Sequence, residues 1–105
     1  RVEETFEVAM AAWSYILRLK SGVPYPGATT NLKQRWGDHV AGTACRTTAT
    51  DPPIALVYQE EFVTFTEARR REAQIKRWSA KKKEALVAGD TTRLRQLSTS
   101  RDHAL

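Results

Sequence analysis

The stretch from Trp13 to Gly27, WSYILRLKSGVPYPG, constrains this chain more than any other. Two apolar, aromatic runs, each carrying a tyrosine, flank the polar break Lys20-Ser21-Gly22. In the first run Tyr15, Leu17 and Leu19 alternate with Ser14, Ile16 and Arg18. That alternation predicts a strand with one well-buried face. Gly22 supplies the positive-φ position of a tight hairpin turn, and Val23 to Ala28 returns antiparallel. Pro26 has no N–H to give to a ladder, so the returning strand must be an edge, a bulge or a strand end there. The hairpin brings Tyr15 and Tyr25, ten positions apart in sequence, together on adjacent strands. Paired phenols on such a ribbon are usually packing.

The segments that follow add charge to this hairpin. Thr29-Thr30-Asn31 offers N-cap side chains for a helix over 31–41. In it Leu32, Arg35, Trp36 and His39 fall at i, i+3, i+4 and i+7, so a guanidinium and an imidazole share the apolar face that meets the hairpin. Ala41-Gly42 ends this helix, a small polar loop runs to Pro52-Pro53, and Ile54 to Tyr58 reads as the third strand, closed by Glu60, Glu61 and Phe62. Thr66 is expected to cap a second helix over 67–78. There Glu72 lies in the stripe Ala68, Glu72, Ile75, Ser79, among apolar positions. A core-side carboxylate is costly unless it is paired or holds a cation. A salt bridge to an arginine one turn away is the common arrangement, and a metal ion is the other. Ser79 caps AKKKEALVA with Gly89 at its stop, and Asp90 or Thr91 caps TRLRQLS. The organisation is an arm or short helix over 1–12, one domain over 13–97, and a flexible tail over 98–105.

Charge narrows the partners. Seventeen Lys+Arg against twelve Asp+Glu leave a net +5, which favours a polyanion such as nucleic acid. No apolar run reaches the length of a membrane span, and no signal-peptide pattern precedes Trp13. The single cysteine, Cys45, excludes an internal disulfide and fits a reducing, cytoplasmic setting. It reads as an incidental thiol. One Cys and two His give no zinc-finger spacing.

Taken together, the two tyrosines, Arg35, His39 and Glu72 form a set that can cut a phosphodiester. Glu72 offers an oxygen ligand to a hard divalent cation. Arg35 offers a guanidinium to the charge that develops on phosphate. A tyrosine or His39 can take the proton of an attacking water. Arg46, Arg69, Arg70, Lys76, Lys81 and Lys82 are placed to hold a nucleic-acid backbone electrostatically.

These residues, with SYIL at 14–17, YPGAT at 25–29, L-x-x-R-x-x-x-H from Leu32 to His39, LVYQEEF at 56–62 and EARRREAQIKRWSAKKKEAL at 67–86, resemble the GIY-YIG nuclease superfamily. Within it the chain is similar to the small stand-alone, single-domain bacterial branch. The resemblance implies an α+β fold, a central three-stranded antiparallel β-sheet flanked by helices. It also implies DNA hydrolysis with a single divalent cation, Mg2+ or Mn2+. By position, Tyr15 and Tyr25 match the signature tyrosines and Arg35 the transition-state arginine. His39 matches a histidine that acts as general base or phosphate contact, and Glu72 the metal-binding glutamate. Against the family pattern, Ser14 replaces an apolar residue, Pro26 the middle residue of the second signature, and Val40 a polar residue after the histidine. The loop GTACRTTATDPP keeps only Arg46 of a basic stretch. So small a domain has little surface for duplex readout. The expected partner is therefore single-stranded or branched DNA, with a weak homodimer as one way to extend the contact. A non-catalytic nucleic-acid-binding module on the same scaffold is the alternative.

Overall fold

The computed structural model describes residues 11–104, with side chains described up to residue 98. The arm or short helix expected over 1–12 lies outside the described residues except at its end. There Ala12 opens strand β1 (Ala12–Leu19), which pairs antiparallel with β2 (Pro24–Thr29) and with β3 (Pro53–Phe62) in the order β2-β1-β3. Four helices of the domain follow or interrupt the strands: α1 (Leu32–Ala41), α2 (Arg46–Thr50), α3 (Phe65–Lys76) and α4 (Ala80–Ala88). A last helix, α5, spans Thr91–Ala104. The fold is α+β, as expected.

β1 is central, and this changes its burial. Ser14 and Ile16 are as deeply buried as Tyr15, Leu17 and Leu19, so the expected single buried face is in fact two. On one side Leu32 and Trp36 of α1 pack against Tyr15, Leu17 and Leu19. The other side is covered by α3 and α4. Arg18 grips Glu84 of α4 with both terminal guanidinium nitrogens, Nη2 to Oε1 at 2.7 Å, and Arg71 of α3 donates to Glu60 of β3 at 3.1 Å.

Both edge strands carry protection against further pairing. Leu19 N–H donates to Val23 O at 3.0 Å, which turns the odd-numbered residues of the return strand toward β1. The missing N–H groups of Pro24 and Pro26 therefore fall on the outer edge, where no ladder needs them. β3 is longer than the five residues expected. It continues through Glu60 and Glu61, opposite Ser14 and Trp13, and absorbs two register irregularities on the way. Charges on that edge discourage another strand.

Local signals were read correctly for α1, capped by Asn31 onto Gln34 N–H at 3.1 Å and ended by Gly42 at φ +78°. They were read two residues late for α3, whose cap is Thr64 and not Thr66. Thr64 stands three residues before Glu67, and the two make a reciprocal capping box. Thr66 would have had Arg69 in that position, with nothing to return. α2 was not expected at all, since a threonine-rich polar segment has weak helix propensity. Residues 98–104, expected as a flexible tail, continue α5. Among the described residues no helix is long and apolar enough to cross a membrane.

Ser14 has its hydroxyl buried and without a partner among the described residues. An unpaired buried hydroxyl costs stability. Ser14→Ala is expected to raise unfolding stability by about 1 kcal/mol, measured as a higher urea midpoint at constant slope; a lower midpoint would mean that the hydroxyl has a partner.

Candidate active site

The register of the hairpin decides where the tyrosines point. Tyr15 stands opposite Gly27 and Leu17 opposite Tyr25, so the two tyrosines are diagonal neighbours on one face. They are not directly opposed. A Cβ at Gly27 would lie 2.3 Å from both Cζ and the hydroxyl oxygen of Tyr15. The phenol ring therefore crosses over β2 at the one residue without a side chain, and its hydroxyl reaches the far edge of the sheet.

His39 holds that hydroxyl. Its Nε2 is 2.9 Å from Tyr15 Oη, and its ring meets both tyrosine rings edge-on, with centroids 6.0 Å from Tyr15 and 5.8 Å from Tyr25. The other nitrogen, Nδ1, lies 2.9 Å from Thr48 Oγ1. Thr48 Oγ1 is 3.4 Å from Cys45 Sγ, and Cys45 Sγ is 3.2 Å from Tyr25 Oη. An unbroken chain of contacts thus runs from one tyrosine to the other through His39, Thr48 and Cys45. Cys45 is no incidental thiol, and Thr48 is a site residue that sequence reasoning missed. The signal was weak, because Cys45 caps and Thr48 lies in α2, which has no helical signature.

Burial sets the electrostatics. It lowers the imidazole of His39 below its ordinary value, and the nearby Arg35 guanidinium lowers it further, so His39 is neutral. Burial raises the Tyr15 phenol, partly offset by Arg35 beside it. Tyr25 is raised by burial and then by Cys45. For Cys45 burial raises the thiol, but the contacts with Thr48 and Tyr25 outweigh it and bring it to about 7.

The hydroxyls open onto a cleft of about 490 Å³ along the β2 edge, lined by Tyr15, Tyr25, Arg35, Phe65, Arg69 and Glu72 with residues 26–30. Arg35 enters from α1, and its Nε is buried without a partner among the described residues. Glu72 enters from α3, flanked by Lys76 Nζ at 3.2 Å and Arg69 Nε at 3.6 Å. Four of the five expected residues thus line one cleft. His39 is buried one layer behind Tyr15, with both ring nitrogens occupied.

Among the described residues no three His, Cys, Asp or Glu side chains group to hold a metal. A lone carboxylate does fit a Mg2+-type ion, which keeps water and uses one or two carboxylates together with substrate phosphates. It does not fit a closed protein cage of the zinc type.

The basic residues divide. Arg69 is at the cleft, and Lys76 is tied to Glu72 beside it. Arg70 faces a separate shallow groove with Arg71, Gln74 and Arg77. Arg46 is exposed on α2, and Lys81 is exposed on α4 near Glu84 and Arg93. Lys82 is buried, its Nζ 4.2 Å from the centre of the Trp78 ring, so it packs and does not present its charge to a ligand. Phe65, at the cleft and partly exposed under the Arg69 guanidinium 5.6 Å from its ring centre, was not anticipated.

Residues 11–85 match the model of the GIY-YIG catalytic domain. The chain belongs to the GIY-YIG family. The UPF0213 protein SH2523 of Staphylococcus haemolyticus is 41% identical over 73 residues, covering 70% of this chain and 89% of that protein. The UPF0213 protein NP_0776A of Natronomonas pharaonis is 39% identical over 77 residues, covering 73% and 91%. The solution NMR structure of the UPF0213 protein BH0048 of Bacillus halodurans aligns with a TM-score of 0.50 at 37% identity, over 75% of this chain and 84% of that one. All are small GIY-YIG relatives whose names state no activity. Membership places the chain in a nuclease family, implies a DNA substrate and brings the family's general use of a divalent metal. It also gives Gly27, the G of the second GIY-YIG signature, a physical role as the gap through which Tyr15 passes.

Gly27→Ala is expected to force the Tyr15 ring off His39 and to cost about 1–3 kcal/mol by overpacking. Chemical denaturation reads the cost, and an unchanged midpoint would show that the ring has room to move.

Proposed function

We propose that this chain is a metal-dependent endonuclease hydrolysing phosphodiester bonds in DNA, with single-stranded or structured DNA favoured and Mg2+ or Mn2+ as the cation. The observation that carries the reading is the cleft itself: a tyrosine from β1, a guanidinium from α1 and a carboxylate from α3 converge on one solvent-accessible edge. Three chain segments with no local reason to meet supply the three groups that phosphodiester hydrolysis needs.

In this reading the scissile phosphate lies along the β2 edge. Tyr15 takes a proton from the attacking water and hands its own phenolic proton to His39 Nε2 across the 2.9 Å contact. The water oxygen bonds to phosphorus and the bond from phosphorus to the leaving sugar oxygen breaks. Arg35 faces the charge that builds on the phosphate oxygens. Tyr25 remains a neutral phenol and shapes the wall. Glu72 would hold the cation, which when bound polarises the phosphate and stabilises the leaving oxygen. Arg69 and Lys76 then lose a carboxylate partner and turn to the backbone phosphates, with Arg46 and Arg70 further out.

Two features support a substrate with unpaired bases. Phe65 offers a ring face at the cleft, of the kind on which a nucleobase stacks. The cleft volume also suits a nucleotide or two and not a duplex groove. The cytoplasm, where such DNA is accessible, is the proposed compartment, and a weak homodimer would extend the contact surface.

The purified protein is expected to cut single-stranded and flap DNA with Mg2+ or Mn2+ and to cut plain duplex more slowly. Glu72→Ala should abolish the cut while leaving the circular-dichroism spectrum unchanged. Arg35→Ala should reduce kcat by about 10²–10³-fold, the range for removing one donor to developing charge. Salt-sensitive DNA binding with every substrate intact would overturn hydrolysis and favour a non-catalytic binding module.

A further inference from the structure

We infer that the outward face of α3 is a crossing for the DNA backbone, over which the substrate strand passes from the cleft, across Ala73, into a second groove; this rests on the reading of the cleft as the seat of a DNA strand. Helix geometry places the crossing. Ala68 and Ile75 are fully buried and turn α3 onto the sheet. Phe65, Arg69, Glu72 and Lys76, spaced four, three and four apart, then form the flank beside the cleft. Arg70, Gln74 and Arg77 form the other flank and line a groove of about 460 Å³. The helix is therefore a ridge between two grooves.

The top of that ridge is low and cationic. On a helix the surface neighbours of a residue stand three and four positions away. For Ala73 these are Arg69, Arg70, Lys76 and Arg77, so all four are cations. All five residues are exposed, and Ala73 projects only a methyl group from their centre. Arg69 and Lys76 share Glu72 on the cleft flank, at 3.6 and 3.2 Å. Arg70 and Arg77 make no ion pair among the described residues. A phosphate over Ala73 thus has a cation on every side and room to approach the helix.

The far groove suits the same ligand. Arg71 is held there by Glu60 at 3.1 Å and by the Trp78 ring, whose centre lies 5.2 Å from its Cζ. Its Nη1 donates to Gln74 Oε1 at 2.7 Å. A guanidinium has no acceptor, so the amide oxygen must be the atom that faces it. The end of the amide left to the groove is its NH2 group. Glu67, the one carboxylate among the described residues lining this groove, is committed to the helix N-terminus, where it accepts from the Thr64 N–H and hydroxyl, both at 3.3 Å. Arg70, Gln74 and Arg77 therefore present donors, two of them charged, which grip phosphate oxygens and read no base. A helix is about 10 Å across. A single strand bends over such a ridge, whereas a duplex, stiff over about 150 base pairs, does not.

Fluorescence anisotropy with labelled oligothymidylates, read without metal, tests the crossing. An oligomer of about 5 nucleotides occupies the cleft alone, and one of about 15 also spans α3, both within the range of single-strand sites. Arg70→Ala/Arg77→Ala should flatten the plot of log affinity against log salt by about 1.4 for the long strand, since each single-strand phosphate contact contributes about 0.7. The short strand should keep most of its slope. Equal flattening at both lengths would mean that the arginines act on the cleft through space, and no flattening would mean that they hold no phosphate; either result overturns the crossing. Flattening confined to a forked duplex would assign the groove to a second strand and overturn it too. Ala73→Glu, which sets a carboxylate among the four cations, should weaken the long strand more than the short one with the urea midpoint at or above wild type. Wild-type affinity for the long strand in that variant would also overturn the inference, and should it fail to fold, the arginine slopes still decide. Failure of the nuclease reading appears separately, as DNA left intact with metal added while the difference in slopes persists.

Discussion

The Tyr15 side chain passes over the backbone of Gly27, and much of the site depends on that crossing. A strand side chain ordinarily stands on its own strand and meets only its cross-strand neighbours. Here the neighbour opposite has no side chain, so the phenol extends past β2 and delivers its hydroxyl to the outer edge. That edge is accessible because Pro24 and Pro26 keep another strand from pairing with it. The glycine and the prolines thus do complementary work. One lets a buried residue reach solvent-accessible space, and the others keep that space free.

Position on the edge also explains how the charges are assembled. α1 lies on one face of the sheet and α3 on the other, yet Arg35 and Glu72 meet because both helices reach the β2 border. A carboxylate and a guanidinium placed on opposite faces are prevented from simply neutralising each other. Glu72 is paired instead with exposed cations of its own helix, Arg69 and Lys76. Such exposed pairs contribute little to stability and are readily exchanged for other partners. Arg35 lies beside Tyr15 with its Nε buried. The cation that must stay is fixed, and the anion that must bind is held loosely.

What the chain reveals without coordinates follows the range of each interaction. The α1 face of Leu32, Arg35, Trp36 and His39 was legible because helical spacing is local and apolar residues mark its direction. Glu72 was legible for the same reason, as a charge in an apolar stripe between Ala68 and Ile75. The Pro26 constraint was legible as an edge. Thr48 and Cys45 were not, because α2 is stabilised by what it touches and not by its own propensity, and contacts made at a distance leave no periodicity. Lys82 misled in the opposite direction. A run of three lysines reads as a contact for a nucleic-acid backbone, but its middle member folds back over Trp78. Ser14 was noted as a departure from an apolar pattern, and its buried hydroxyl lacks a partner among the described residues.

The buried polar chain behind the tyrosines bears on why the site has this composition. Hydrogen-bonded side chains in a low-dielectric interior strengthen one another, but only when every member is satisfied. His39 has a partner at each nitrogen, Thr48 a partner on each side, and Cys45 meets both Thr48 and Tyr25. Replacing any one with an apolar residue strands its neighbours, so the polar chain behaves as a unit. An apolar core at the same place would pack as well, and would leave two equivalent phenols with high proton affinity and no outlet. The polar chain converts that symmetric pair into one phenol that meets an imidazole and one that meets a thiol. Shape alone cannot make that distinction, because Tyr15 and Tyr25 are chemically identical and meet the same imidazole at nearly the same distance and angle. What separates them is the partner that each hydroxyl meets, the His39 imidazole for Tyr15 and the Cys45 sulfur for Tyr25.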